Sequence, residues 1–319
     1  MAARATRSAS RKARCTEAVA TGPLGALSHD ELGVIVDGLA DPLQPVVAVA
    51  LSSTCLGLRT PLRAALEALK ERHERAAALC RKLNANHTFR NMSCVEMRES
   101  VQLNFFLMKL TTDDVATLAM LLCSGSLPRL HELTFGINGT HNDLGSNLVP
   151  ILCEGMGRGT APLLRKLDLS YTSLDPAGAE AFAAALRRGA LPMLEMLKVG
   201  INPNIGAQGI AALAPQLRKL PYLKELSLVS CELGDDAVAS LVDNLGKDDF
   251  KALEELIFYR NKLTNKACAT LTAAINAGGL PKLVDAPCFL VSINGDEAKG
   301  LASVAAVQAV KDALARRSQ

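Results

Sequence analysis

Apolar residues recur along this chain in two alternating rhythms. A short L-x-x-L-x-L cluster is followed by a stretch with apolar residues three and four positions apart, and the pair then repeats. The first rhythm predicts a half-buried strand, the second an amphipathic helix. LRKLDLSYTSL, LEMLKVGINPNI, LKELSLVSCEL and LEELIFYRNKL align on the cluster, with Leu167, Leu197, Leu226 and Leu256 as its middle residues. Their spacing of about thirty residues marks an internal array. The same period reaches Leu133 in LHELTFGIN, Leu103 in SVQLNFFL and, degenerately, Ala286 in LVDAPCF. In DPAGAEAFAAALRRG, Asp175 reads as the N-cap, Pro176 as the first helical residue and Gly189 as the first residue past the end. One unit is strand, turn, helix, turn.

From about Val95 to the C-terminus the pattern resembles the leucine-rich repeat family, in its long, ribonuclease-inhibitor-like class. The family's Asn or Cys three residues after the last core position is matched by Asn138, Asn202, Cys231 and Asn261, with Thr172 standing there once. A buried polar group at that point satisfies backbone left open where the chain turns off the strand. The resemblance implies an α/β fold, a horseshoe solenoid with a parallel sheet inside and helices outside. About seven units would occupy 95–294, and a capping helix at 295–319 would carry Leu301, Val304, Val307, Val310 and Leu314. The unit between Phe135 and Leu144 is long, so Gly139 to Asn142 should protrude as a loop.

Ahead of the array, LSHDELGVIVDGLADP has a different grammar. Ser28 and Glu31 form a capping box, Leu27 and Leu32 a hydrophobic staple, and Leu32, Ile35, Val36 and Leu39 an apolar stripe that Asp41-Pro42 ends. Thr60-Pro61 opens a second helix through Leu62, Leu66, Leu69 and Leu83. Residues 24–94 therefore read as a helical cluster with a linker helix, after a basic tail at 1–23. This order resembles the F-box at Leu27, Glu31, Leu32, Ile35, Leu39, Asp41, Pro42, Leu51, Cys55 and Arg59. It departs in having Ser28 where Pro is usual and no aromatic after Cys55. The resemblance implies that Leu27, Leu32, Ile35, Leu39, Pro42 and Leu43 meet a Skp-type adaptor, and through it a cullin scaffold. The bland alternative is that these helices only cap the solenoid.

Composition narrows the rest. Half the residues are hydrophobic, 3% are aromatic and none is Trp, so the core is aliphatic. The formal charge of +3 owes itself to Arg4, Arg7, Arg11, Lys12 and Arg14, which all precede the first acid, Glu17. The body is near neutral and has no basic face for a nucleic acid. The Arg- and Ser-rich start reads as a disordered tail or an organelle presequence. No run is long and apolar enough for a membrane span, and nine scattered Cys without a C-x-x-C pair fit a reduced cytoplasm or nucleus.

Alternation along the strands places the residues flanking each central Leu on the concave face. The candidates for gripping a target protein are Lys166, Asp168, Lys198, Glu225, Val229, Glu255, Ile257, Tyr259 and Phe289. The apolar members, Val229, Ile257, Tyr259 and Phe289, fall late in the array; Val229 and Phe289 have the alternative of packing beneath the C-terminal cap. No His, Cys or carboxylate spacing suggests a metal, no nucleophile or phosphate-loop motif occurs, and no cofactor is implied. The acidic pairs Asp113-Asp114, Asp235-Asp236 and Asp248-Asp249 read as helix-dipole partners or solvated residues. Two functions stay open: a non-enzymatic substrate receptor of a cullin-type ubiquitin ligase, or a plain scaffold or regulator, for instance of a small GTPase.

Overall fold

A parallel six-stranded sheet runs β1-β2-β3-β4-β5-β6 in chain order. Its strands are β1 (Gln102–Asn104), β2 (Glu132–Thr134), β3 (Lys166–Asp168), β4 (Met196–Lys198), β5 (Glu225–Ser227) and β6 (Glu255–Ile257). The computed structural model describes residues 27–54, 62–85, 92–106, 108–136, 144–284 and 302–317. It divides into two units, 1–98 and 99–319.

In the second unit the central leucines stand in one row: Leu103 opposite Leu133, then Leu167, Leu197, Leu226 and Leu256. None is more than 3% exposed, and each side chain so buried contributes roughly 1.5–3 kcal/mol. Behind the sheet lie α5 (Thr112–Cys123), α6 (Leu148–Cys153), α7 (Pro176–Arg187), α8 (Gly206–Leu217), α9 (Asp235–Val242) and α10 (Asn265–Asn276), each packed on the next. One strand and one helix cannot close a core alone, so burial is completed only by stacking. This is the strand-inside, helix-outside solenoid that the repeat predicts.

The helix ends follow the sequence closely. Asp175 caps α7 by accepting from the Gly178 N–H at 2.8 Å, with Pro176 in the first turn. Gly189, just past the end, has φ +86, a left-handed turn that suits a residue without Cβ. The acidic pair Asp113-Asp114 lies in the first turn of α5, where the helix dipole favours it. Asp114 is 7% exposed and accepts from the N–H and hydroxyl of Thr111 in a reciprocal cap, so it is a buried structural carboxylate.

Where the chain leaves each strand, a polar ladder joins neighbouring units. Fully buried Asn202 donates through Nδ2 to the carbonyls of Leu169 and Val199, both at 2.9 Å, and its Oδ1 accepts from the N–H groups of Thr172 and Leu174 at 3.1 and 3.0 Å. Asn261 repeats this against Leu228, Phe258, Cys231 and Leu233, and the Cys231 thiol donates to the Val199 carbonyl at 3.1 Å. Asn138 and the 139–142 loop lie outside the described residues. One position before each rung, Tyr171, Ile201, Ser230 and Arg260 all have φ between 55 and 59. The ladder holds these non-glycine residues in the left-handed region at a cost of about 1–2 kcal/mol each.

The last described helix, α11 (Val304–Arg317), packs along α10. Val310 and Leu314 are buried, but Val304, expected on the same face, is 64% exposed. Ala313 is buried with Val310 and Leu314. Ala286 and Leu301 lie outside the described residues.

The first unit holds α1 (His29–Leu39), α2 (Val46–Thr54), α3 (Arg63–Ala85) and most of α4 (Cys94–Glu99). Ser28 caps α1 in a reciprocal box with Glu31, whose carboxylate accepts from the Ser28 N–H at 2.7 Å and is held below its ordinary pKa by that bond. The buried stripe is Leu32, Val36 and Ala40, which pack with Ala48, Leu62 and Leu69. Leu39, expected in the stripe, is 46% exposed. A four-residue step from Val36 lands on Ala40, so the helix turns Leu39 outward.

Candidate functional site

Three rows of side chains cross the open face of the sheet. The first consists of Gln102, Glu132, Lys166, Met196, Glu225 and Glu255, and the second of Asn104, Thr134, Asp168, Lys198, Ser227 and Ile257. Beyond the strand ends the pairing continues: the Tyr171 N–H reaches the Gly200 carbonyl, Ile201 that of Val229 and Ser230 that of Tyr259. Ser170, Gly200, Val229 and Tyr259 therefore form a third row.

The charges on this face are largely engaged with one another. Lys166 lies 3.8 Å from Glu132, Lys198 lies 4.0 Å from Glu225, and Gln102 donates to Glu132 at 3.3 Å. Asp168 accepts from the Ser170 N–H at 2.9 Å, a local turn that occupies its carboxylate. Asn104 makes the same turn with the Phe106 N–H. At the strand starts, Glu195 is clamped by Lys224 at 3.0 Å and Arg165 at 2.5 Å. The Lys224 bond, foremost, holds its carboxyl below the ordinary range.

Apolar exposure lies at the two ends of the third row. Tyr259 is 39% exposed beside half-buried Val229, with half-buried Ile257 next to it on the same strand. Phe106, 43% exposed, lies over Gly136, where a Cβ would collide with its ring. In mid-row, Gly200 is buried, and a Cβ there would lie 3.2 Å from the Val229 carbonyl oxygen and 3.4 Å from Ser170 Oγ. The face thus offers aromatic anchors around a polar, internally paired centre, a distribution suited to a protein partner. Lys166, Asp168, Lys198, Glu225, Val229, Glu255, Ile257 and Tyr259 all lie on it, while Phe289 and Asp285 lie outside the described residues. Sequence reasoning missed Phe106 and Gly200, although counting three positions from the core residues Leu103 and Leu197 would have found both.

In the helical unit the six residues singled out for docking separate by burial. Leu32, Pro42 and Leu43 are buried within the cluster, Leu27 and Ile35 are half-buried, and Leu39 is exposed. The Asp41-Pro42 turn is fastened from three directions. Asp41 accepts from the Leu43 N–H at 2.9 Å and from Arg98 Nε at 2.6 Å, and His73 Nδ1 meets the Pro42 carbonyl at 2.7 Å. On α1 and α2, Val34 (72% exposed), Val46 (67%), Val47 and Val49 are exposed, as is Leu39. None of these valines was selected from the sequence, because all four fall off the stripe that closes the core.

Three cysteines of the repeats serve the interior. Burial pushes the Cys153 thiol up to about 12 and those of Cys231 and Cys268 to about 11, which keeps them protonated and unreactive. Among the described residues no group of three or more His, Cys, Asp or Glu is placed to hold a metal ion, and no helix is long and apolar enough to cross a membrane.

A leucine-rich repeat model matches residues 160–183 and 219–242. Over 152 residues the chain is 32% identical to Protein NLRC5 of Mus musculus. That match takes in 47% of this chain and 8% of the mouse protein, so the chain spans a small fraction of its relative.

Proposed function

We propose that this leucine-rich repeat chain is a protein-interaction subunit whose concave face holds a target and whose N-terminal helices dock a Skp-type adaptor, recruiting a cullin ubiquitin ligase. The carrying observation is the aliphatic exposure of Val34, Leu39, Val46, Val47 and Val49 on two consecutive helices. Among the described residues they lie outside the buried cluster of Leu32, Val36, Ala48, Leu62 and Leu69, and an adaptor groove would remove them from water. Leu27 and Ile35 border the patch. Leu32, Pro42 and Leu43 act from inside by fixing the angle between the helices. On the repeats, Tyr259, Ile257 and Val229 supply the target's anchors and Lys166, Asp168, Lys198, Glu225 and Glu255 the polar rim. Residue 289 belongs to the same surface on this reading. The chain contributes recognition and no bond-breaking chemistry of its own, and works in the cytoplasm or nucleus.

The burial of Leu32, Pro42 and Leu43 favours a second reading, a scaffold or small-GTPase regulator in which the helices serve only the chain's own stability. A binding assay separates the two. Purified full-length chain should capture a purified Skp-type adaptor, and Val46→Asp with Val47→Asp should abolish capture while circular dichroism and melting temperature stay unchanged. Failure of the unsubstituted chain to bind the adaptor, or undiminished binding by the double variant, refutes the adaptor reading.

A further inference from the structure

Two sulfur atoms flank that of Cys80 in the helical unit. Cys80, on α3, donates its thiol to Met97 Sδ at 3.4 Å and lies 3.9 Å from Cys94 Sγ. Cys94 and Met97 sit three apart on α4, the spacing that puts two side chains on one face of a helix. The start of α4 is held by a cap, with the Ser93 N–H donating to Glu96 at 2.6 Å and the Glu96 N–H to Ser93 Oγ at 3.2 Å. The backbone therefore presents both sulfurs without further ordering. Cys80 and Met97 are almost fully buried, whereas Cys94 is half-exposed and gives a way in from solvent.

Filling a core needs volume, not sulfur, and Leu or Ala would serve at any of these positions. Two sulfurs flanking a third have a different chemical meaning. For a first-row metal about 2.3 Å from each sulfur, separations of 3.9 and 3.4 Å correspond to S–metal–S angles of about 115° and 95°, so one ion can reach Cys80 together with either neighbour. Zinc prefers four thiolate, imidazole or carboxylate ligands, whereas a soft set of two thiols and a thioether selects copper(I). A disulfide between the two cysteines would leave out Met97, the sulfur nearer to Cys80.

We propose that Cys80, Cys94 and Met97 form a copper(I) site of two thiolates and one thioether. On binding, two Cu–S(thiolate) bonds form, both S–H bonds break and their protons pass to the buffer, while Met97 donates a lone pair. Copper stays Cu(I) throughout, so no electron moves and no oxidant is required. The ion would tie the C-terminal half of α3 to α4 and so clamp the end of this unit.

The test is anaerobic titration of the reduced full-length protein with Cu(I) in competition with the chelator bicinchoninate. One equivalent should resist the chelator in the unsubstituted chain and in Cys123→Ser. Cys80→Ser and Cys94→Ser should each lower the affinity for that equivalent at least a hundredfold. Met97→Leu, which preserves volume, should lower it at least tenfold with unchanged circular dichroism, and it decides the matter if a cysteine variant does not fold. X-ray absorption should show sulfur-only coordination. Equal affinity in Met97→Leu and the unsubstituted chain overturns the site. So does a Cys80–Cys94 disulfide, detected by mass spectrometry as the loss of two hydrogens, in a protein that takes up no chelator-resistant copper.

Discussion

Arg98 donates to Asp41 at 2.6 Å across 57 positions of sequence, and both side chains are mostly shielded from water. This bond closes the Asp-Pro turn onto α4. Removing the guanidinium in Arg98→Ala should destabilise the N-terminal unit by about 1–2 kcal/mol, as expected for a partly buried charge-assisted bond. Asp41→Ala should cost more, because the Leu43 N–H loses its acceptor as well. Urea denaturation of both single variants and the double variant gives the coupling directly.

Asn202 is a larger lever. Its amide satisfies backbone groups of two adjacent units in a fully buried place, and an alanine there would strand donors and acceptors on both. Asn202→Ala should lower stability by on the order of 3–5 kcal/mol. Asn261→Ala, at a half-buried rung, should cost less. Hydrogen exchange should show the added opening centred on the turns after β3 and β4.

The left-handed turn before each rung gives an opposite sign. Ser230 has φ 55 without the benefit of glycine. Ser230→Gly relieves that strain against a loss of chain entropy in the unfolded state, so it should be neutral or stabilising by up to about 1 kcal/mol. Ser230→Val should destabilise. The glycine variant should melt at or above the unsubstituted chain and the valine variant below it.

Glu195 sets a pH dependence. Its folded pKa lies below the ordinary 4.5, chiefly through Lys224 and then Arg165. Its ion pairs therefore contribute fully above pH 4.5 and are lost as pH falls through the lowered value. At pH 7 Glu195→Gln should be less stable than the unsubstituted chain by roughly 0.5–1 kcal/mol, the scale of a mostly solvated pair. The gap should close as pH falls below 4.5 through the lowered folded value in a melting series, and salt should narrow it at neutral pH.

On the face proposed to hold a target, Gly200 is a close approach between neighbouring units. A Cβ there would come within 3.2 Å of the Val229 carbonyl oxygen, so Gly200→Arg should lower stability by roughly 1–3 kcal/mol as well as obstruct the proposed target interaction. Tyr259→Ala should weaken the same interaction about tenfold or more, the scale of an interface anchor. Affinity measurements on a captured target, paired with melting curves, check both.

Much of this was legible beforehand for a specific reason. A repeated unit states its own register several times, so Leu167, Leu197, Leu226 and Leu256 identified one another, and the Asn and Cys positions could be placed by counting. Asp175, Pro176 and Gly189 were readable because helix caps depend on neighbours in sequence. The helical cluster, stated only once, was less transparent. A stripe including Leu39 and one including Ala40 differ by a single position on α1, and only packing against Ala48, Leu62 and Leu69 chose between them.

The sequence by itself determined the period, the strand-helix alternation, the caps and the outward-facing rows, because all of these arise from local propensity and from apolar spacing that repeats. Tertiary structure alone decided that Arg98 fastens Asp41, that four valines are left in water and that Cys80 meets Cys94 and Met97. Those relationships join residues with no periodic link, and distance in space between such residues is settled only when the helices have closed on one another.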